Sequence, residues 1–218
     1  MMGASDDALI IGGGLNDGQK RNALRVTVGG IVYSQGTYNT TGADYAEMFE
    51  WSDGNTLNED RIGYFVTFDG NNKIRIANEN DQYIIGVVSV NTAIVGDNYD
   101  DEWRKKYITD KWGRMQFEEV LVEAEYDDEG NIIIPEHIEE HPILNPDYNP
   151  TETYISRMDR QEWGCIGMLG KLLVYNDGTC EVGSMCKPNK DGIATKSTDG
   201  TGYYVMEIVE DLVMILFK

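Results

Sequence analysis

A mainly β fold is expected from two features of the sequence. Apolar runs are short, alternating and closed off by Gly, Asn and Asp, and stretches with helical periodicity are scarce. A hydrophobic content of 41% over 218 residues is enough for a core that folds without disulfides or metals. The expected architecture is a short β-helix-like shaft segment over residues 1–41, then a small β-barrel or sandwich core over 42–218 with an acidic insertion at 98–160.

The shaft assignment rests on the pieces ALII, ALRVTV and IVY, which are split by Gly12, Gly13 and Gly14, by Asn16, Asp17 and Gly18, and by Gly29 and Gly30. Strands this short cannot bury an apolar face alone. They need further rungs of a β-helix or equivalent strands from other chains. The Gly12–Gly14 run has the look of a phosphate-cradling loop, but no helix follows and no Lys-Ser/Thr pair closes it, so a tight turn between rungs is the simpler reading.

From residue 42 onward the runs IGYFVTF, KIRIA and YIIGVVS, joined at 69–72 and 78–81, predict a meander or small barrel. Residues 98–160 change character. They are acidic, hold four of the five prolines, and contain the one helix-like stretch, YDDEWRKKY at 99–107, before a hairpin; a surface insertion follows from that. Alternation returns in 163–218. There LGKLLVY, an Asn176-Asp177-Gly178 turn and TCEVG predict a compact hairpin with IATKS as a closing strand. The final LVMILF is too apolar for an exposed edge, so it belongs in the centre of its sheet or against another protomer.

Charge narrows the partners. Eighteen basic against thirty-eight acidic residues leave a net charge of -20, which repels a phosphate backbone, so nucleic acid is not expected. No apolar run approaches the ~18 residues that span a bilayer, and residues 1–6 lack the features of a signal peptide, so no membrane partner is expected either. The acidic stretch 118–140 lacks the D-x-[DN]-x-[DN]-G loop of a calcium site and reads as a solvated face. Cys165, Cys180 and Cys186 are odd in number, widely spaced and without a C-x-x-C pair; they read as reduced core thiols.

Several constellations compete as chemistry. His137-Ile138-Glu139-Glu140-His141 fits the zinc pattern H-x-x-E-H, which needs a helix to bring both imidazoles to one face. Pro135 and Pro142 bracket the segment too closely for a stable one, so no metal is expected. Serine catalysis has no G-x-S-x-G, and Ser184 near Lys187 is a pairing that chance supplies. Carboxylates remain: Asp6 and Asp7 beside Ser5, and Asp44, Glu47 and Glu50 in GADYAEMFEW. Two carboxyls held close cannot both ionise easily, so one stays protonated as acid while the other serves as base. On spacing alone an acidic turn leading into an amphipathic segment, with Tyr45, Met48, Phe49 and Trp51 in the core, explains the same residues.

The ordered series TGADYAEMFEWSDGN, NEDRIGYFVTFDG, KIRIAN, YIIGVVS, GDNYDDEW, LNPDYNP and WGCIGMLGKLLVYNDGTCEVGSMCKPNKDGIATKS resembles the intramolecular-chaperone (IMC) autoproteolytic cleavage domain, the second family of glutamic peptidases. The likeness runs through nearly the whole chain. It implies a C-terminal domain of a phage or prophage tail spike that drives homotrimerisation, lets the upstream shaft of the same chain fold, and then releases itself in the host cytoplasm, leaving the parent spike in the virion tail. It also implies a cut at Ser5-Asp6; among the carboxylates named above, Asp6, Asp7, Asp44 and Glu47 are the candidates for that step. Members are linked to ATP in releasing the cut domain, although no loop here resembles a nucleotide site; from the residues themselves no cofactor is expected. The competing expectations are an uncleaved fibre tip and a receptor- or carbohydrate-binding tip, the latter suggested by thirteen tyrosines and four tryptophans.

Overall fold

The computed structural model describes residues 7–14, 16–28, 30–98 and 106–218. The chain divides into two compact units, Met1–Thr41 and Gly42–Lys218. Both are built of strands; no α-helix occurs among the described residues.

In the first unit, β1 (Asp7–Gly12), β2 (Asn22–Thr27) and β3 (Val32–Ser34) form an antiparallel meander in that order. The chain reverses between neighbours, whereas the rungs of a β-helix run parallel. The expected β-helix-like segment is therefore an up-and-down ribbon in its described residues. Its faces are thinly covered: Leu9, Ile11, Ile31, Val32 and Tyr33 are all exposed, and Arg25 lies 4.3 Å over the Tyr33 ring.

The second unit is dominated by a ten-stranded sheet that curls as a half-barrel. Its members are β4 (Asp44–Glu50), β5 (Phe65–Phe68), β6 (Ile74–Ile76), β7 (Gly86–Val88), β8 (Ile94–Gly96), β13 (Trp163–Tyr175), β14 (Met185–Pro188), β15 (Ala194–Lys196), β16 (Tyr203–Val209) and β17 (Leu212–Phe217). The main path runs β15-β14-β16-β17-β13-β7-β5-β6, and β4 pairs with both β13 and β8. At thirteen residues β13 is the spine: its first half pairs with β4, its second half with β17. Leu212–Phe217 thus lies between β16 and β13, the central position its composition calls for.

The hairpin expected across Asn176-Asp177-Gly178 does not form. Asn176 does turn the chain, its Oδ1 accepting from the Gly178 amide at 3.0 Å, but β13 takes β17 as its neighbour and residues 179–183 are not a strand.

Core residues sit on both faces of the sheet around β5 and β7, where successive residues point to opposite sides. Phe65 and Val87 join Leu172, Val174, Val205, Val213 and Ile215 on one side, with Tyr203 stacked 4.5 Å from Phe217 and 5.4 Å from Phe65. Val66 and Val88 join Trp51, Ile74, Ile85 and Ile166 on the other. All three cysteines are free and buried.

Between β8 and β13 the chain leaves the large sheet. β9 (Phe117–Val122) pairs with β12 (His137–Pro142), and β10 (Glu125–Tyr126) with β11 (Ile132–Ile134), making one hairpin nested inside another. The helix-like stretch falls mostly at 99–105, outside the described residues.

Candidate functional site

Alternation along β4 decides what its acidic residues can do. Asp44, Ala46 and Met48 face inward and are buried, while Tyr45 and Glu47 face the other way. The two carboxyls singled out in the sequence therefore lie on opposite faces of one strand and do not form a pair within the chain. Glu47 is tied locally, accepting a hydrogen bond from the Tyr45 hydroxyl at 2.6 Å.

Asp44 is the unusual group. It is 3% exposed, its Oδ2 has no partner among the described residues, and the Ser89 hydroxyl bonds the same carboxyl. Desolvation pushes its pKa above the ordinary value of 3.8 against the opposing pull of those hydrogen bonds. Three separate segments make this nest. β4 supplies Asp44, the end of β7 leads to Ser89, and β13 supplies Cys165, whose carbonyl accepts from the Ser89 amide at 2.9 Å. Burial and the Asp44 charge push the Cys165 thiol up to about 11, so it is a protonated core thiol rather than a nucleophile. Gly167 leaves the room: a Cβ there would stand 2.6 Å from Asp44 Oδ2 and 2.4 Å from Leu172.

A carboxyl whose folded pKa is raised stabilises the fold below its ordinary 3.8 and loses that contribution as pH rises through the raised value. Asp44→Asn is therefore expected to flatten the pH dependence of Tm and to raise folding stability at pH 8 by about 1 kcal/mol, the low end of the cost of a buried group without its partners, with Tm rising accordingly. Thermal melts between pH 4 and 8 check it; a variant less stable than wild type at pH 8 would mean that the ionised carboxylate is the better-held form.

Ser89 and Cys165 also border an open cleft of about 420 Å³ whose other walls come from Trp51, Asn55, residues 58–62, residues 158–161 and Trp163. Arg61 is fixed at its rim, with Nη1 and Nη2 donating to Asp53 at 3.0 and 2.6 Å, Nη2 to Glu59 at 2.8 Å, and the guanidinium 4.6 Å over Trp51. The guanidinium holds the Asp53 carboxyl down at about 2. Arg157 is buried beneath the opposite wall, bonded to the Asp97 carbonyl and carboxylate at 2.6 Å and lying 3.9 Å over Trp163.

The remaining residues taken from the sequence are placed as follows. Asp7 belongs to the first unit and forms an ion pair with Arg25 at 3.3 Å. Ser5 and Asp6 lie outside the described residues. Glu50 pairs with Lys73 at 2.7 Å. His137 and His141 stand on a strand, where they share a face with Glu139 rather than with the Glu140 of the zinc pattern. Among the described residues no group of three or more His, Cys, Asp or Glu is arranged to hold a metal, and no helix is long and apolar enough to cross a membrane. Sequence reasoning missed Ser89 and the Arg61 cluster; Cys165 is the reduced core thiol expected, but its place beside Asp44 was not foreseen. The spacing of Gly164 and Gly167 on a strand was the available signal for a close approach.

A family model described as Peptidase_G2, IMC autoproteolytic cleavage domain, matches residues 4–213. The pre-neck appendage protein of Bacillus phage B103 is 37% identical over 168 residues, 77% of this chain and 17% of that protein, so the chain spans less than a fifth of this relative. The crystal structure of pre-mature bacteriophage phi29 gene product 12 matches with a TM-score of 0.71 at 26% identity, over 90% of this chain and 24% of that one. A C-terminal fragment of the same gene product matches with a TM-score of 0.61 at 28% identity, over 80% of this chain and 100% of the fragment.

Proposed function

The chain belongs to the IMC autoproteolytic cleavage domain family, and from that premise we propose that it is the chaperone of a phage or prophage tail appendage, a self-cutting domain that acts on its own chain. It brings three copies into register, lets the upstream β-rich shaft form in the host cytoplasm, and is cut away once, leaving the spike for the virion tail. The observation that carries the reading is the family match over residues 4–213. The physics favours the arrangement: aligning non-local strands from three chains is slow and aggregation-prone, and a module that trimerises early lowers that cost. Cleavage afterwards makes assembly irreversible. The thinly covered meander of the first unit, with Leu9, Ile11 and Val32 exposed, supports packing against equivalent strands.

The bond assigned to the cut is Ser5-Asp6. A carboxylate takes a proton from a water, held beside the Ser5 hydroxyl, as the water oxygen bonds to the Ser5 carbonyl carbon. The bond from that carbon to the Asp6 nitrogen then breaks as a second carboxyl donates a proton to that nitrogen, leaving a Ser5 carboxylate and a free Asp6 amine. Asp6, Asp7, Asp44 and Glu47 are the candidates. Asp44 has the character of the acid, since a desolvated carboxyl keeps its proton to higher pH. Supplying one of the two groups from a neighbouring chain ties cutting to assembly, because a lone monomer lacks the full set. The reaction as proposed uses no cofactor; dependence of release on ATP is a separate arm of the test.

A precursor carrying upstream shaft tests the proposal by intact mass and light scattering. The expected products are a trimer and a released fragment beginning at Asp6, with release abolished by Ser5→Ala while the trimer persists. A wild-type precursor that stays full-length as a trimer makes this an uncleaved fibre tip. A monomer at micromolar concentration removes the chaperone reading as well.

A further inference from the structure

On one face of β12, His137, Glu139 and His141 follow at every second residue, so their side chains stand in a row. The imidazole Nε2 of His137 lies 2.9 Å from Glu139 Oε1, and that of His141 lies 2.8 Å from Glu139 Oε2. The second ring nitrogen of His137, Nδ1, lies 2.9 Å from the Pro135 carbonyl oxygen.

The two histidines differ in what this demands. A carbonyl oxygen and a carboxylate only accept hydrogen bonds, and a neutral imidazole has a single N–H. His141 meets one acceptor and can satisfy it as a neutral tautomer. His137 meets an acceptor at each nitrogen, so in either neutral tautomer one lone pair would face oxygen. Both contacts are satisfied when the ring is an imidazolium. We propose that His137 is a proton-operated latch: its imidazolium ties Glu139 on β12 to the Pro135 carbonyl at the entry of the strand, holds the 117–142 hairpin closed, and loosens it when the proton leaves.

The surroundings point the same way. Glu118 of β9 stands directly across from His141, and Glu125 of β10 adds its charge to His137; Val122 and Val120 are the cross-strand neighbours of His137 and Glu139. Glu119 faces Glu140 on the other side of the ladder, a like-charge pair that weakens it. An acid-rich, two-stranded hairpin of marginal stability gains from a cation placed in its midst. The Pro135 contact and the Glu139 contact both raise the His137 pKa above 6.5, and the two histidines hold Glu139 below 4.5. The sign is fixed by those directions. The histidine contribution is complete below about 6.5 and is lost as pH rises through the raised value, whereas the Glu139 contribution is complete above about 4.5 and is lost as pH falls. The latch is fully closed between these limits.

The test uses the whole chain and long-range 1H–15N spectra of the imidazoles through a pH series. His137 is expected to carry protons on both nitrogens at pH 6 and to show a midpoint above 6.5. Glu139→Gln is expected to bring the His137 midpoint down while leaving the amide spectrum of the ten-stranded sheet unchanged. Amide exchange at 120–122, corrected for its intrinsic pH dependence, should accelerate by up to about tenfold per pH unit above the ordinary histidine value in wild type and not in Glu139→Gln. A His137 whose midpoint lies at or below 6.5, or that stays singly protonated at pH 6, overturns the proposal. So does stoichiometric zinc that shifts both histidines together at neutral pH, which would make the row a metal site.

Discussion

Gly86→Ala is expected to cost about 3 kcal/mol of folding stability, the upper end of overpacking, and to lower Tm by about 6–12 °C in a domain of this length. β7 runs between β5 and β13, and Gly86 pairs with Val66 where β7 passes closest to β13. A Cβ at residue 86 would stand 2.1 Å from the Gly167 carbonyl oxygen and 2.7 Å from the Ile166 side chain. The nearer obstacle is backbone, so relief requires moving one strand away from another and gives up burial of Val87 and Val88. Gly36→Ala, at a glycine with open space around it, is the matched control and should stay within about 0.5 kcal/mol of wild type. Denaturant titration decides: a Gly86→Ala domain within 1 kcal/mol of wild type would contradict the approach of β7 to β13. The damage reaches the candidate site too. Ser89 follows β7, and its backbone N–H donates a hydrogen bond to the Cys165 carbonyl, so a displaced β7 draws the Ser89 hydroxyl from Asp44.

Trp51→Ala should be at least as severe, about 3–5 kcal/mol, because a large aromatic leaves a cavity its neighbours cannot close. Trp51 is 2% exposed, packs with Val66, Ile74, Ile85, Val88 and Ile166, and lies against Gly164, where a Cβ would be 3.0 Å from its ring. Its amide donates to the Glu162 carbonyl at 2.8 Å, and its indole face carries Arg61. Removal therefore empties one core and frees one rim of the cleft together. Trp51→Phe, which keeps most of the apolar volume, is expected to lose less than half as much. Equal losses in the two variants would show that the stacked Arg61, rather than cavity formation, carries the effect.

How much of this the sequence reveals depends on the distance over which the information acts. The apolar content of DYAEMFEW was legible and correctly put Met48 and Trp51 in the core, with Phe49 packed at its edge. Tyr45, expected there too, stands exposed because the strand period turns 44, 46 and 48 inward. The same period sets Asp44 and Glu47 on opposite faces, so spacing alone already argues against their acting as a pair within one chain. The Asp44 nest was not legible. It joins residues 44, 89 and 165, and no local pattern announces which strands will lie side by side. The hairpin expected at Asn176 fails to form for the same reason: the turn chemistry is as read, yet the neighbour of β13 is chosen by the apolar face of Leu212–Phe217, far along the chain. For His137–His141 the spacing was taken at helical period and the prolines argued against it. A strand period picks out Glu139 instead of Glu140.

The central place of β17 has a consequence for biosynthesis. A ribosome delivers residues 44–50 and 163–175 well before 212–217, yet β13 and β16 stay open along one side until Leu212–Phe217 slides between them. A polypeptide interrupted by premature termination anywhere before that point keeps an unclosed sheet with Val205, Leu172 and Val174 short of cover. Whatever depends on the finished sheet is thereby withheld from incomplete translation products.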